Sequence, residues 1–175
     1  MPYSSYLMKS HFTLSDVNIR TVLRPGDIGY VTFLHGLLYS QEYNFGISFE
    51  AYVAAGLHDF YQQYDPALDC VWVCESENKI IGFLALMHRP GNAAQLRYFI
   101  LSPAYRGIGL GKKLMDLYME FFYSKGYRSA YLWTTSNLPA AAHLYKSKGF
   151  VLTQEVDSLN FGIPLKEQRY DLQLA

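Results

Sequence analysis

A run of strands and helices in the order β-α-α-β-β-β-α-β-α-β-β predicts an α/β (α+β) domain, a mixed sheet with helices on both faces. Three observations carry that prediction. Several stretches repeat apolar residues at helical spacing, several others are short β-prone runs closed by Pro, Gly or Asn, and no repeat, low-complexity tract or linker interrupts the 175 residues. A chain of that length, half of it apolar, suits one domain that buries its own core without disulfides or metal.

The elements follow in chain order. Residues 1–16 read as an N-terminal tail, and 17–175 as the single domain. Val17 to Arg24 is a β-prone run stopped by Pro25-Gly26. Asp27 then stands where a capping residue belongs, before a helix that repeats Ile28, Val31, Leu34 and Leu38. A second helix from about Ser48 aligns Phe49, Val53, Leu57 and Phe60. Cys70 to Cys74 and Lys79 to Met87 flank the polar turn Glu77-Asn78-Lys79 and read as a hairpin, and a further strand runs from Ala93 to Leu101. Leu110, Leu114, Leu117 and Phe121 predict the next helix, ended by Gly126. Arg128 to Thr134 is a strand, Pro139 to Lys148 a helix closed by Gly149, and Phe150 to Val156 and Gln168 to Leu174 are the last strands.

Charge and cysteine usage narrow the function. Formal net charge is zero, which gives the chain no electrostatic footprint for nucleic acid or an anionic membrane. The distribution is uneven: residues 1–90 hold 5 Lys/Arg against 9 Asp/Glu, and residues 91–175 hold 10 against 6. Either solvated charge is segregated by chance, or the back half meets a polyanion and the front half a cation. Cys70 and Cys74, four residues apart on one strand, sit roughly 13 Å apart and cannot form a disulfide. With no CxxC pair or His/Cys cluster for a metal, a reducing cytoplasm is expected. The first 16 residues lack the basic end and apolar run of a signal peptide, and no stretch is apolar enough to span a bilayer. Aromatic residues make up 17% of the chain, which is compatible with a pocket of flat, partly polar walls.

The chemistry concentrates at Arg106-Gly107-Ile108-Gly109-Leu110-Gly111-Lys112-Lys113, between a predicted strand and a predicted helix. Unpaired N–H groups and the helix dipole attract an anion there, and glycines let a pyrophosphate approach the backbone. Two phosphate motifs are excluded. A Walker A loop needs Gly at position 106 and Ser or Thr at 113, where Arg106 and Lys113 stand; the dinucleotide fingerprint G-x-G-x-x-G fails because the glycines are spaced two by two.

Arg106-x-x-Gly109-x-Gly111, preceded by Leu96-Arg97-Tyr98-Phe99-Ile100-Leu101-Ser102-Pro103, resembles the acyl-CoA-binding motif of the GNAT superfamily of N-acetyltransferases. Tyr131-Leu132-Trp133-Thr134, then Asn137, then Ala141-Ala142-His143-Leu144-Tyr145-Lys146-Ser147-Lys148-Gly149-Phe150 is similar to that family's second block. The finer pattern, including Trp133-Thr134-Thr135 and Glu167-Gln168-Arg169-Tyr170, resembles GNAT domains fused behind MarR-type regulators, although only 16 residues precede the first strand here.

The resemblance implies a GNAT fold: about seven mostly antiparallel strands, split between the fourth and fifth. Into the V-shaped opening would enter the pantetheine arm of acetyl-CoA, the expected cosubstrate. Backbone groups of Phe99, Ile100 and Leu101 would pair with its amides, and N–H groups of Gly107, Ile108, Gly109, Leu110, Gly111 and Lys112 would take the pyrophosphate, with Arg106 nearby. Asn137 and Tyr145 would line the far wall. Lys112, Lys113, Lys146 and Lys148 are either contacts for the 3′-phosphate or solvated helix faces.

The implied reaction is direct attack by a primary amine, from a small molecule or a peptide, on acetyl-CoA in a ternary complex without metal. Tyr145 is the expected acid that protonates the thiolate, and a backbone N–H near Leu101 the oxyanion donor. Where many GNAT enzymes carry a Glu, the strand Ala93–Leu101 offers Gln95 and Arg97. Glu42, Glu50, Glu155, Glu167, His35 and His88 remain as candidate bases. A non-catalytic acyl-CoA-binding module is the rival reading, and a homodimer is compatible with either.

Overall fold

The computed structural model describes residues 12–174. Its elements are β1 (Asn18–Arg20), α1 (Asp27–Tyr43), α2 (Ile47–Gln62), β2 (Cys70–Ser76), β3 (Lys79–Arg89), β4 (Ala93–Leu101), α3 (Leu110–Ser124), β5 (Ser129–Thr135), α4 (Pro139–Ser147), β6 (Val151–Ser158) and β7 (Leu165–Gln173). This is the expected order, and one seven-stranded sheet runs β1-β2-β3-β4-β5-β7-β6. Every neighbouring pair is antiparallel except β4–β5, which is parallel.

Period-two alternation splits the core into two layers. Trp72, Leu84, Leu86, Leu96 and Leu132 face α3 and α4, where Leu114, Tyr118, Phe122 and Tyr145 meet them. Val71, Val73, Phe83, Ala85 and Met87 face α1 and α2, against Val31, Leu34, Phe49, Val53 and Leu57. Burying one such side chain contributes about 1.5–3 kcal/mol, so the two layers fix where each helix lies.

Local details depart from the sequence reading. Of the expected tail, residues 1–11 lie outside the described part, while Phe12 stacks on Tyr105 at 4.2 Å and Leu14–Asp16 forms a 3-10 turn. Strand β1 is three residues long and ends before Thr21, because its pairing with β2 covers only Asn18 to Arg20. Asp27 does not cap α1: Gly26 holds the cap position at φ 97°, and the Asp27 carboxylate turns back to accept from the Arg24 N–H at 2.6 Å and from both terminal nitrogens of Arg20 at 2.7 Å. On α3 the buried stripe is centred on Leu114, Tyr118 and Phe122, which leaves Leu117 and Phe121 at its margin.

Candidate active site

The sheet opens where β4 and β5 part. Their pairing consists of Ala93↔Ser129, Ala94↔Ala130 and Gln95↔Tyr131. Beyond it β5 bonds only to β7, so the facing edges of β4 and β5 carry backbone groups that need partners from elsewhere. A cavity of about 510 Å³ lies along this gap.

A bulge in β4 shapes its wall. Ala85 pairs with Arg97 but Phe83 pairs with Ile100, so β4 spends three residues where β3 spends two, and Tyr98 sits at φ 57°. One inserted residue reverses the alternation of side chains. Leu96 and Ala94 face α3, yet after the bulge it is Tyr98 and Ile100 that face α1 and α2, while Phe99 and Leu101 turn toward α3 and α4. Arg97 and Tyr98 thereby share one side, with the guanidinium carbon 4.6 Å from the Tyr98 ring centre.

The glycine segment closes the other end. Gly107 and Gly109 have φ 79° and 88°, which a side chain would strain. The first hydrogen bond of α3 runs from the Lys113 N–H to the Gly109 carbonyl at 3.0 Å. The N–H groups of Leu110, Gly111 and Lys112 therefore have no acceptor within the helix, the ordinary state of a helix start and a good environment for an anion. Gly107, Gly109, Gly111 and Lys112 line the cavity, whereas Leu110 is buried beneath them and Ile108 packs against the core. A Cβ on Gly111 would come 3.4 Å from Leu144 and 3.5 Å from Leu101, so a larger side chain has to project into the gap. Lys148 is paired with Asp116 and Lys146 lies 6.0 Å from the Tyr170 ring, which leaves Lys112 as the lysine of the four on the cavity wall.

Phe99, Ile100, Leu101, Arg106 and Tyr145 all line the cavity. Arg106 donates through Nε to the Leu101 carbonyl at 3.0 Å and through both terminal nitrogens to Glu42 at 2.7 and 2.8 Å. That pair joins α1 to the glycine segment across the cavity mouth. Tyr145 is 5% exposed and packs 6.3 Å from Phe99 and 6.2 Å from Tyr170; burial raises its phenol, which keeps the proton on it at neutral pH. Asn137 is not on the cavity wall. Its Oδ1 accepts from the Thr135 hydroxyl at 2.5 Å, and Thr135, Leu138, Pro139 and Leu144 line that side.

The candidate bases separate. Glu42 reaches the cavity, but its hydrogen bond to Arg106 holds its carboxyl below the usual range. Glu167 lines the cavity and accepts from Asn160 Nδ2 at 2.9 Å. His35 also lines it; burial pushes the imidazole down to about 4, and its Nδ1 bonds the Val31 carbonyl at 2.8 Å. Glu50 lies against Gly36 in the α1–α2 seam, Glu155 of β6 is bonded to Gln168 and Lys166 of β7, and His88 is bonded to Asp69, all away from the cavity.

The front wall is aromatic. Tyr39, Phe45, Phe49, Tyr52 and Phe161 form a connected cluster, with Tyr39–Phe49 centres 4.5 Å apart and Phe49–Phe161 5.0 Å apart. The aromatic content of the sequence hinted at such a wall; nothing in it marked Phe161, which reaches the wall from the loop before β7. The acidic surplus of the front half does not gather here, since Glu42 and Glu167 are the carboxylates among the lining residues and Glu42 is neutralised by Arg106.

Comparison with known proteins agrees with this architecture. Residues 37–150 match the model of the acetyltransferase (GNAT) family, and the chain belongs to that family. It is 34% identical over 97 residues to the uncharacterized N-acetyltransferase YjgM of Escherichia coli K12, covering 54% of this chain and 58% of that one. It is 32% identical over 118 residues to N-acetyltransferase family 8 member 2 of Rattus norvegicus, covering 62% and 52%. The chain thus spans somewhat more than half the length of these curated relatives. Among solved structures it superposes on an acetyltransferase of the GNAT family from Staphylococcus aureus Mu50 (TM-score 0.68, 21% identity, 91% of this chain and 99% of that one). It also superposes on spermidine N-acetyltransferase from Vibrio cholerae in complex with CoA and spermine (TM-score 0.66, 20% identity, 91% and 96%), a likeness of fold. The finer resemblance to domains fused to MarR-type regulators finds no support in these comparisons. Among the described residues no helix is long and apolar enough to cross a membrane, and no group of three or more His, Cys, Asp or Glu is placed to hold a metal ion.

Proposed function

We propose that the protein transfers an acetyl group from acetyl-CoA to a primary amine by direct attack within a ternary complex. The observation that carries this reading is the parting of β4 and β5 after Gln95↔Tyr131, which leaves two unpaired strand edges leading to the free N–H groups at the start of α3. A pantetheine arm has amides that suit such an edge, and a pyrophosphate suits the helix start. The residues fit the cosubstrate: Phe99 and Leu101 present backbone on the parted edge of β4, while Ile100 is paired with Phe83 of β3, and Gly107 to Lys112 offer donors. Lys112 supplies positive charge on the same wall, and Arg106, paired with Glu42, stands at the mouth.

In the proposed reaction the amine nitrogen forms a bond to the thioester carbon as the carbon–sulfur bond breaks. A backbone N–H near Leu101 steadies the oxyanion. Glu167 takes the proton the amine must lose, because it is the carboxylate on the wall without an ion-pair partner among the described residues. Tyr145 gives its proton to the departing thiolate and recovers one from solvent, since a phenol kept protonated by burial can donate. Support for a cytoplasmic location comes from two buried free thiols, Cys70 and Cys74. A homodimer belongs to the same proposal, supported by exposed Val151, Val156 and Leu159 on or beside the outer strand β6.

The absence of a carboxylate from β4, where Gln95 and Arg97 stand, favours the rival reading of a module that binds acyl-CoA without turning it over. Thiol release from acetyl-CoA by the purified protein, screened over amines, amino acids, polyamines, peptide N-termini and aminoglycosides, decides between them. Amine-dependent release supports the transferase, and CoA binding without release supports the module.

A further inference from the structure

We infer that the amine acceptor also carries a carboxylate, held by Arg97, on an apolar or aromatic body. This inference deepens the acetyltransferase reading and rests on it. Arg97 lines the cavity beside the aromatic wall. One of its terminal nitrogens donates to the Tyr52 hydroxyl at 3.0 Å, and its guanidinium carbon lies 5.4 Å and 4.6 Å from the Tyr52 and Tyr98 ring centres. Among the described residues it has no ion-pair partner. A guanidinium has five N–H donors in a planar fork, and one bond to Tyr52 leaves most of them for a bidentate carboxylate.

The β4 bulge puts this group in place. Without the extra residue, Arg97 and Tyr98 would point to opposite faces of the sheet; with it they stack side by side, and Gly56 of α2 lets them approach. A Cβ there would come 2.6 Å from the Tyr98 hydroxyl and 3.0 Å from a terminal nitrogen of Arg97. Two ring faces that could attract a cationic acceptor are already taken by the guanidinium. His35 bonds the Val31 carbonyl at the base of the same wall and adds no opposite charge.

Charge around the cavity is therefore asymmetric in a way that suits an amino acid rather than a polyamine. Arg97 offers a positive anchor and Glu167 a negative one, while Tyr39, Phe45, Phe49 and Phe161 supply flat apolar area for the body. A polycation would meet Arg97 with no acidic cluster to offset it.

The test uses the full chain with acetyl-CoA and matched acceptors: L-phenylalanine against 2-phenylethylamine, L-leucine against 3-methylbutylamine, and spermidine. The expected result is a kcat/KM at least tenfold higher for the carboxylated member of at least one pair. Arg97→Gln should cut that ratio by about 10²-fold, as expected for removal of one partner of a hydrogen-bonded charge pair. Arg97→Lys, which keeps the charge and loses the fork, should cut it about tenfold, and decides the point if the Gln variant does not fold. A purely structural Arg97 would slow both members of a pair alike and leave the ratio fixed, which would overturn the inference. Preference for the decarboxylated amines or for spermidine would overturn it too, with the transferase reading intact. Thiol release with none of these amines would overturn the inference, and if the wider screen also gives none while CoA still raises the melting temperature, the transferase reading falls with it.

Discussion

The two walls of the cavity use different chemistry. The wall at the start of α3 is backbone: the N–H groups of Leu110, Gly111 and Lys112 have no acceptor within the helix, and Gly107 and Gly109 hold left-handed φ within the same short segment. The acceptor wall is made of side chains from α1, α2, β4 and the loop before β7, brought together from residues as far apart as His35 and Phe161. In the proposed reading the backbone wall recognises what every acyl-CoA shares, a pyrophosphate and two amides. A side-chain wall can be rebuilt residue by residue, so it is the place for acceptor choice, and a mutation in either wall should leave its mark on a different kinetic constant.

The largest effect expected tests what holds the acceptor wall to the sheet. Arg20 and Asp27 form a buried pair at the start of α1, with side chains 9% and 6% exposed. Breaking one side of such a pair costs about 3–5 kcal/mol, so Asp27→Asn should lower the melting temperature well beyond any change at the glycine wall. Burial opposes ionisation of Asp27, but its bonds from Arg20 and Arg24 outweigh it and hold the carboxyl below its ordinary value. The stability it contributes is therefore present above the unfolded value of about 3.9 and is lost as pH falls through the lower folded value; denaturation of wild type and variant should converge there.

Next in size is Tyr145, which stands between the two walls. Phe keeps the ring packed against Phe99 and Tyr170 and removes the donor. Tyr145→Phe should lower kcat by about 10²-fold, roughly 2.7 kcal/mol of barrier, with acetyl-CoA affinity far less changed. Turnover within a few-fold of wild type, at an unchanged melting temperature, would remove Tyr145 from the reaction.

Gly111→Val sharpens the contrast directly. Gly111 has ordinary helical backbone, unlike Gly109 at φ 88°, so the variant adds bulk without forcing a left-handed residue. CoA should bind about tenfold more weakly or worse, about 1.4 kcal/mol, as measured by calorimetry, while the KM for the amine changes little. Unchanged CoA affinity in a folded variant would mean that the glycine wall does not hold the phosphates.

The smallest effect belongs to Gly56→Ala. The atoms a new Cβ would meet are the far ends of Tyr98 and Arg97, which can yield. Acceptor KM should rise about two- to threefold and CoA affinity should not move, because side-chain walls absorb a methyl group that a backbone wall cannot.

How much of this was legible follows the same division. Element order, both glycine-closed helices and the glycine segment come from local rules of spacing, turn chemistry and helix ends, and the observed elements keep that order. Local patterns failed where a residue had a tertiary alternative. Asp27 has the composition of a cap, yet Arg20 on the neighbouring strand competes for its carboxylate and wins. Arg97 and Tyr98 read as alternating positions of a strand, and the bulge that sets them side by side appears only in the register between β3 and β4.

The sequence by itself determined the family, the layered sheet and the glycine turn before α3, because each depends on periodicity or on backbone freedom within a few consecutive residues. Only the tertiary structure decided which charges line the cavity. The front half carries the surplus of acid, but among the described residues Glu42 is its one carboxylate on the cavity, where Arg106 neutralises it; the charges on the wall without an ion pair are Lys112 at the glycine end and Arg97 and Glu167 beside the aromatic cluster. Electrostatic recognition depends on distance and burial in space, and neither is encoded in the order of charges along a chain.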